Sequence, residues 1–229
     1  MAIRLGSSSP AFRVGLETPS RIHLGNDLVW PEFNGPVTTQ FDYTTSGGVQ
    51  VYNIPLACSR IDLIGIGGGG GGQGSGCCAV NGFGGQAGTW NAITLVRGVD
   101  IPWDLIQLCV VVAWGGAGGA GAGGPIPGIP GGAGDATRWY TGPSTSGTQL
   151  LSCAGGAGGI LGVVGANVAG ESSPAFTFNG VTYPGGVGGR SSGQAGAVPG
   201  AGGAGATGGI FFGSTAGKGG NGRAYARAY

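Results

Sequence analysis

A chain of 229 residues with 10 basic and 9 acidic side chains carries a formal net charge of +1, which removes the electrostatic case for binding nucleic acid or an anionic membrane surface. Glycine supplies 58 residues and proline 13, a load that ordinarily signals low complexity. Charged residues make up only 8% and mean hydropathy is +0.21, whereas disordered chains pair low hydrophobicity with high charge; the glycines are therefore expected to be packed.

Residues 1–36 hold an internal repeat. The segments AIRLGSSSP, AFRVGLETPS and RIHLGNDLVW align as apolar–basic–apolar–Gly on Gly6, Gly15 and Gly25. Ile3 and Leu5, Phe12 and Val14, and Ile22 and Leu24 alternate with Arg4, Arg13 and His23. That period of two, broken by Gly, Ser and Pro, predicts three short strands. Strands so few cannot bury an apolar face by themselves. Residues 1–36 are read as an attachment or assembly leader, with Ile3, Leu5, Phe12, Val14, Ile22, Leu24 and Trp30 as its contact residues; the alternative is a plain extension of one domain. MAIRLGSSSPAFRVG lacks a continuous apolar core and is not read as a signal peptide.

Residues 37–229 are read as one glycine-rich β domain. TTQFDYTTSGGVQVYNIP looks like two strands paired around Gly47-Gly48. SRIDLIGIG, TWNAITLVRG and LIQLCVVVAWG are further β-prone runs. In FTFNGVTY, Asn179-Gly180 suits the positive φ angles of a two-residue type I′ turn, which predicts a hairpin over 176–183. GRAYARAY sets Arg223, Tyr225, Arg227 and Tyr229 on one face. Ala224, Ala226 and Ala228 form the other, a thin face suited to close packing against another backbone.

Between these runs lie glycine tracts at 67–76, 115–134, 154–170, 184–209 and 213–222. In RIDLIGIGGGGGGQGSG, Gly65, Gly67 and Gly70 satisfy the G-x-G-x-x-G of a dinucleotide-binding loop. No helical period follows, and no carboxylate between Asp62 and Asp100 stands ready to hold a ribose, so that reading fails. GSTAGKGG fails as a phosphate loop, because Gly213 and Gly217 are too close and no Ser or Thr follows Lys218. The uncharged stretch from Leu105 to Gly134 is long enough for a membrane span, but its prolines and glycines argue against one. The tracts do not keep the strict Gly register of collagen. They are predicted to be extended threefold rods whose outward N–H and C=O groups pair between neighbours. Trp90, Trp114 and Trp139 at the tract edges are expected to seal such a stack. Flexible linkers are the competing reading, and valine at Gly118 or Gly203 separates the two. The expected fold is all-β: short antiparallel strands combined with packed polyglycine-II-like rods, with almost no helix.

Few residues offer chemistry. Cys58, Cys77, Cys78, Cys109 and Cys153 are odd in number and contain no C-x-x-C pair, which disfavours a disulfide framework and a zinc site. Vicinal Cys77 and Cys78 are read as small packed residues. His23 is expected to face outward from a strand and builds no multi-histidine metal site. Asp100 and Asp104 flank Trp103 and are the one carboxylate pair to weigh as a glycosidase acid and base; the spacing fits a loop or cap better, so neither catalysis nor any cofactor is expected.

The order of these motifs carries a resemblance. The glycine burst over Arg60–Gly76, then VVVAWGGAGGAG, GGAGDATRW, SCAGGAGG and GKGGNGRAYARAY, resembles the glycine-rich domain of tailed-phage minor tail and tail-fibre proteins. The Leu-Gly repeats ending in LVW, and FTFNGVTYPGG, are similar to segments of actinobacteriophage minor tail proteins. The resemblance implies a structural protein of the virion tail tip. Its implied partners are other tail proteins, further copies of itself in a homotrimer, and a host-envelope glycan or glycolipid. Some phage adhesins are similar in stacking polyglycine rods whose connecting loops meet the host; the repeat leader and the proline interruptions depart from that pattern. GGAGGAGAGG also resembles the repeats of mycobacterial cell-surface proteins, the alternative reading.

Overall fold

Twelve strands run in chain order, with no helix among the described residues: β1 Ile22–Leu24, β2 Asp27–Trp30, β3 Val37–Asp42, β4 Val49–Asn53, β5 Arg60–Ile66, β6 Trp90–Val96, β7 Gln107–Val111, β8 Thr137–Thr141, β9 Gln149–Cys153, β10 Phe176–Phe178, β11 Val181–Tyr183 and β12 Arg223–Ala228. The structure is a computed structural model that describes residues 35–44, 49–160 and 167–229, and the backbone alone of 22–24 and 27–30. The fold is all-β and its sheets are antiparallel. One sheet has the order β3-β12-β5-β6 and a second β4-β7-β8-β9. They face each other across a core built from Phe41, Ile61, Leu63, Leu95 and Ala224 on one side and Tyr52, Leu108, Val110, Trp139 and Leu151 on the other.

Burial explains the strand order. LIGI within β5 is apolar on both faces, as a central strand requires, and β5 is covered on both. β12 lies beside it, with Ala226 opposite both Thr39 and Leu63. The alanine face does not meet another backbone as expected. Ala224, Ala226 and Ala228 join the core cluster that holds Trp139, and their small size leaves room for that indole. Trp139 therefore seals no rod; it is fully buried in the sandwich, edge-on to Phe41 with ring centroids 5.5 Å apart. The outer face of β5 and β12 is covered by the hairpin of β10 and β11, where Tyr183, Phe176 and Phe178 pack on Ile64 and Tyr225. Its turn takes φ of 44° at Asn179 and 74° at Gly180, the positive pair the sequence predicted. Buried Asp62 holds that turn in place: it accepts hydrogen bonds from Asn179 Nδ2 at 2.9 Å and Thr94 Oγ1 at 2.7 Å.

The hairpin expected around Gly47-Gly48 does not form. β3 and β4 belong to opposite sheets. Each strand has a stronger partner elsewhere: β3 aligns with all six residues of β12, and β4 aligns with β7 along its whole length.

The tracts are packed rods. The described residues trace ten of them: rod 1 (67–75), rod 2 (82–89), rod 3 (114–122), rod 4 (128–135), rod 5 (154–160), rod 6 (167–174), rod 7 (184–189), rod 8 (194–198), rod 9 (200–206) and rod 10 (213–222). Rod 1 shows the threefold rule directly. The N–H groups of Gly67, Gly70 and Gln73 donate to rod 2, those of Gly68, Gly71 and Gly74 to rod 4, and those of Gly69, Gly72 and Ser75 to rod 10. Its carbonyls accept from rods 3, 5 and 9, for example Gly119 N–H to Gly72 and Gly203 N–H to Gly70. Six rods thus enclose rod 1, alternately antiparallel and parallel to it, and each is bonded to the next around the ring. Three residues per turn make this possible, because successive N–H groups point to three different neighbours. Rod 9 is also enclosed by six rods, 1, 2, 6, 7, 8 and 10, though their directions do not alternate around it.

Strands feed rods directly: β5 runs into rod 1, β7 into rod 3, β9 into rod 5, and rod 10 returns into β12. The rods therefore extend the sandwich rather than lie beside it. Buried Thr137 joins the two parts, its hydroxyl donating to the Ile66 carbonyl at 2.7 Å and accepting from Ala113 N–H. Register then gives the molecule two ends. Val37, where β3 begins, pairs with Ala228 at the end of the sandwich remote from the rods, whereas Arg223, opposite Ile66, lies where the rods begin.

Candidate functional site

The two ends of the molecule are the places to look for a site. Of the leader residues singled out from sequence, Ile3, Leu5, Phe12 and Val14 lie outside the described residues. Ile22 and Leu24 stand in β1 and Trp30 in β2; the two strands pair antiparallel with Ile22 opposite Trp30 and Leu24 opposite Asp27. His23 occupies β1 between them. The third unit of the repeat is thus a strand, as predicted, and LVW is its partner; the first two units are outside the described residues.

The far end of the rods was not singled out from sequence. Rods 1, 3 and 9 run away from the sandwich, and rods 2, 4 and 10 return, so the loops 76–81, 123–127 and 207–212 all lie at the same end. Hydrogen bonds tie the three together. Cys77 N–H donates to Gly124 O and Cys78 N–H to Gly209 O, each at 2.8 Å. Phe212 and Gly123 form an antiparallel bridge, and Gly208 N–H donates to Asn81 Oδ1 at 2.9 Å. Beneath them Ser75 fastens rod 1 to both ends of the third loop, its hydroxyl donating to Thr207 O and accepting from Ser214 N–H, both at 2.8 Å. None of the three loops contains a charged residue. Ile126, Ile210, Phe211 and Phe212 project from them into solvent. The sequence does carry a signal for this end: GGPIPG and TGGIFFG are apolar insertions between glycine tracts, where a buried residue has no strand to sit in.

Cys77 and Cys78 belong to these loops. Cys78 is exposed and takes a φ of 58°, followed by 63° at Ala79, a left-handed pair that costs about 1–2 kcal/mol per residue for side chains of this kind. The two sulfurs are 2.7 Å apart, and the hydrogen bond Cys77 shares with Cys78 is the main cause that raises its thiol above the ordinary value. Elsewhere Cys58, Cys109 and Cys153 are buried, and burial pushes the Cys153 thiol up to about 12. Thiolate is the reactive form, so at pH 8 a maleimide is expected to modify Cys78 first and to reach Cys58, Cys109 and Cys153 only after unfolding. Equal rates at all five thiols in the native protein would contradict the packing described.

The Asp100–Trp103–Asp104 group is separated by its own bonding. Asp100 Oδ2 accepts the Val96 N–H at 2.8 Å and closes a turn, Trp103 stacks under the Arg97 guanidinium at 5.0 Å, and Asp104 is exposed.

Sandwich, rods and joined loops together define the class: the chain belongs to the glycine-rich domain family, which it matches over residues 44–229. It is similar to the Gene 32 protein of Mycobacterium phage D29, 39% identical over 187 residues that cover 82% of this chain and 80% of that protein. The Gene 32 protein of Mycobacterium phage L5 is 40% identical over 174 residues, 76% of this chain and 74% of its own. These relatives make this a phage protein and give no support to the bacterial cell-surface alternative.

Proposed function

We propose that this is a structural minor tail protein at the tip of a phage tail, held in the virion by its N-terminal leader and presenting its joined loops toward the host surface. The observation that carries the reading is the two-ended build. β3 begins at the sandwich end remote from the rods, and the three joined loops lie past the rods at the opposite end. A protein that bridges a particle and a surface needs an anchoring end and a presenting end, with a stiff body between. Rods bonded on six sides supply the stiffness. The partners in this reading are other tail proteins, further copies of the chain as a homotrimer, and a host-envelope glycan or glycolipid. No enzymatic step belongs to it.

The test uses virions. The full chain is expected among the proteins of purified particles. A chain lacking residues 1–36 should fold, because the described bonds of the sandwich and rods lie within residues 37–229, yet be missing from particles assembled in its presence. Normal incorporation of the truncated chain, or absence of the full chain from virions, would refute the reading.

A further inference from the structure

We infer that the joined loops engage the acyl chains of a lipid surface, with Ile210, Phe211 and Phe212 as the inserting prong and Ile126 on the loop bridged to it. The inference rests on the tail-tip reading and deepens it by giving the loops a ligand chemistry. Ile210 is 80% exposed, Phe211 and Phe212 77% each, and Ile126 57%. An apolar cluster of this kind marks a surface that meets a partner.

Three properties favour an apolar, fluid partner over a sugar or a folded protein. Recognition of a saccharide needs several fixed polar side chains to pair with its hydroxyls; these loops carry no charge and only Asn81 and Thr207 as side chains with an amide or hydroxyl, and the Asn81 Oδ1 is already taken by Gly208 N–H. Three successive residues exposed by more than three quarters form a convex prong, whereas a protein interface core is packed as closely as a protein interior. A fluid acyl layer adapts to a prong without a matching cavity. The third property is the backbone. A segment entering lipid must satisfy its N–H and C=O groups internally, and the two ends of this loop do so: Gly209 O by Cys78 N–H, Phe212 by its bridge to Gly123, and Gly213 N–H by Ala122 O. The loops of rods 1 and 3 thus brace the loop of rod 9 for insertion.

The experiment is flotation of the full chain with neutral phosphatidylcholine vesicles, alongside F211S/F212S and a control, V187S, at an exposed apolar residue of rod 7 near the sandwich. The wild type and V187S are expected to float with the vesicles. The double variant should lose binding by about tenfold or more, since two phenyl groups no longer leave water. In a second arm, F211W is expected to be quenched by vesicles with brominated acyl chains more than the wild type is. Circular dichroism of F211S/F212S should match the wild type, the changed side chains being solvent-exposed; if it does not, F211W quenching decides alone. Binding to delipidated envelope polysaccharide with no flotation, or self-association abolished by F211S/F212S, would overturn the inference. Virions that carry the double variant and still adsorb normally would overturn it while leaving the tail role standing; virions without the wild-type chain would sink the tail role whatever the vesicles show.

Discussion

Valine at Gly71 or at Gly203 is expected to unfold the protein, or to lower its melting temperature by about 10 °C or more. A side chain at Gly71 would point at the Ala117 carbonyl of rod 3, and one at Gly203 at the Gly217 carbonyl of rod 10. Both obstacles are backbone and cannot rotate away. Overpacking costs about 1–3 kcal/mol per site. Separating the rods also breaks the bonds Gly71 N–H makes to Gly132 and Gly203 N–H makes to Gly70, at about 1–3 kcal/mol for each buried group left unpaired. Domains hold only about 5–15 kcal/mol in total. Gly118 faces the Ala216 carbonyl in the same way and should behave alike. Ala117 supplies the contrast: it is exposed, so Ala117→Ser should shift the melting temperature little. Equal melting temperatures for Gly71→Val and Ala117→Ser would mean that the rods are not packed.

Arg97→Leu is the second large effect, at the opposite end. The Arg97 side chain is buried, and its guanidinium donates to four carbonyls: Pro55 and Leu56 through Nη1, Trp103 at 2.7 Å and Leu105 at 3.1 Å through Nη2. One planar group thereby ties the loop after β4 to the loop before β7. Leucine leaves those oxygens without their donor at about 1–3 kcal/mol each; water reaching half of them still leaves a loss of about 2–6 kcal/mol. Lysine offers three donors from a single point and lacks the planar fork. Urea titration should therefore rank wild type above Arg97→Lys above Arg97→Leu, and identical midpoints would contradict this role for the guanidinium.

Much of the sandwich was legible because its strands announce themselves. Alternation in GRAYARAY, the apolar run in β5 and the Asn179-Gly180 turn each fix a local geometry that the tertiary structure keeps. β8 and β9 were not legible. TRWYT and QLLSC are five residues each, set among Gly, Pro and Ser, and only the core around Trp139 selects them as strands. Gly47-Gly48 misled because a turn signal does not say which strands it joins. The tracts were legible as rods but not in their boundaries: 115–134 is two rods and 184–209 holds three, while 82–89, with Phe83, Gln86 and Thr89 among its glycines, is a rod outside the tracts marked. A period-three signal was present. In rod 5, Ala154, Ala157 and Ile160 are exposed while Gly156 and Gly159 are buried, so A-G-G read every third residue gives the outer face of a threefold rod. Around the enclosed rods that rule gives way to lattice position, since Ala201 and Ala204 of rod 9 are buried. Of the N-terminal repeat, period-two patterning predicted the strand that its third unit forms as β1. The joined loops were missed because their closeness follows from the up-and-down order of the rods, which no short motif encodes.

Amide hydrogen exchange resolved along rod 1 tests the account most directly. Every N–H from Gly67 to Ser75 donates to another rod inside a buried bundle, so these amides should exchange only through global unfolding, as slowly as those at the centre of β5. Exchange of the 67–75 amides within seconds, at the rate of a solvated glycine linker, would contradict the packed-rod structure and with it the stiff body on which the proposed function depends.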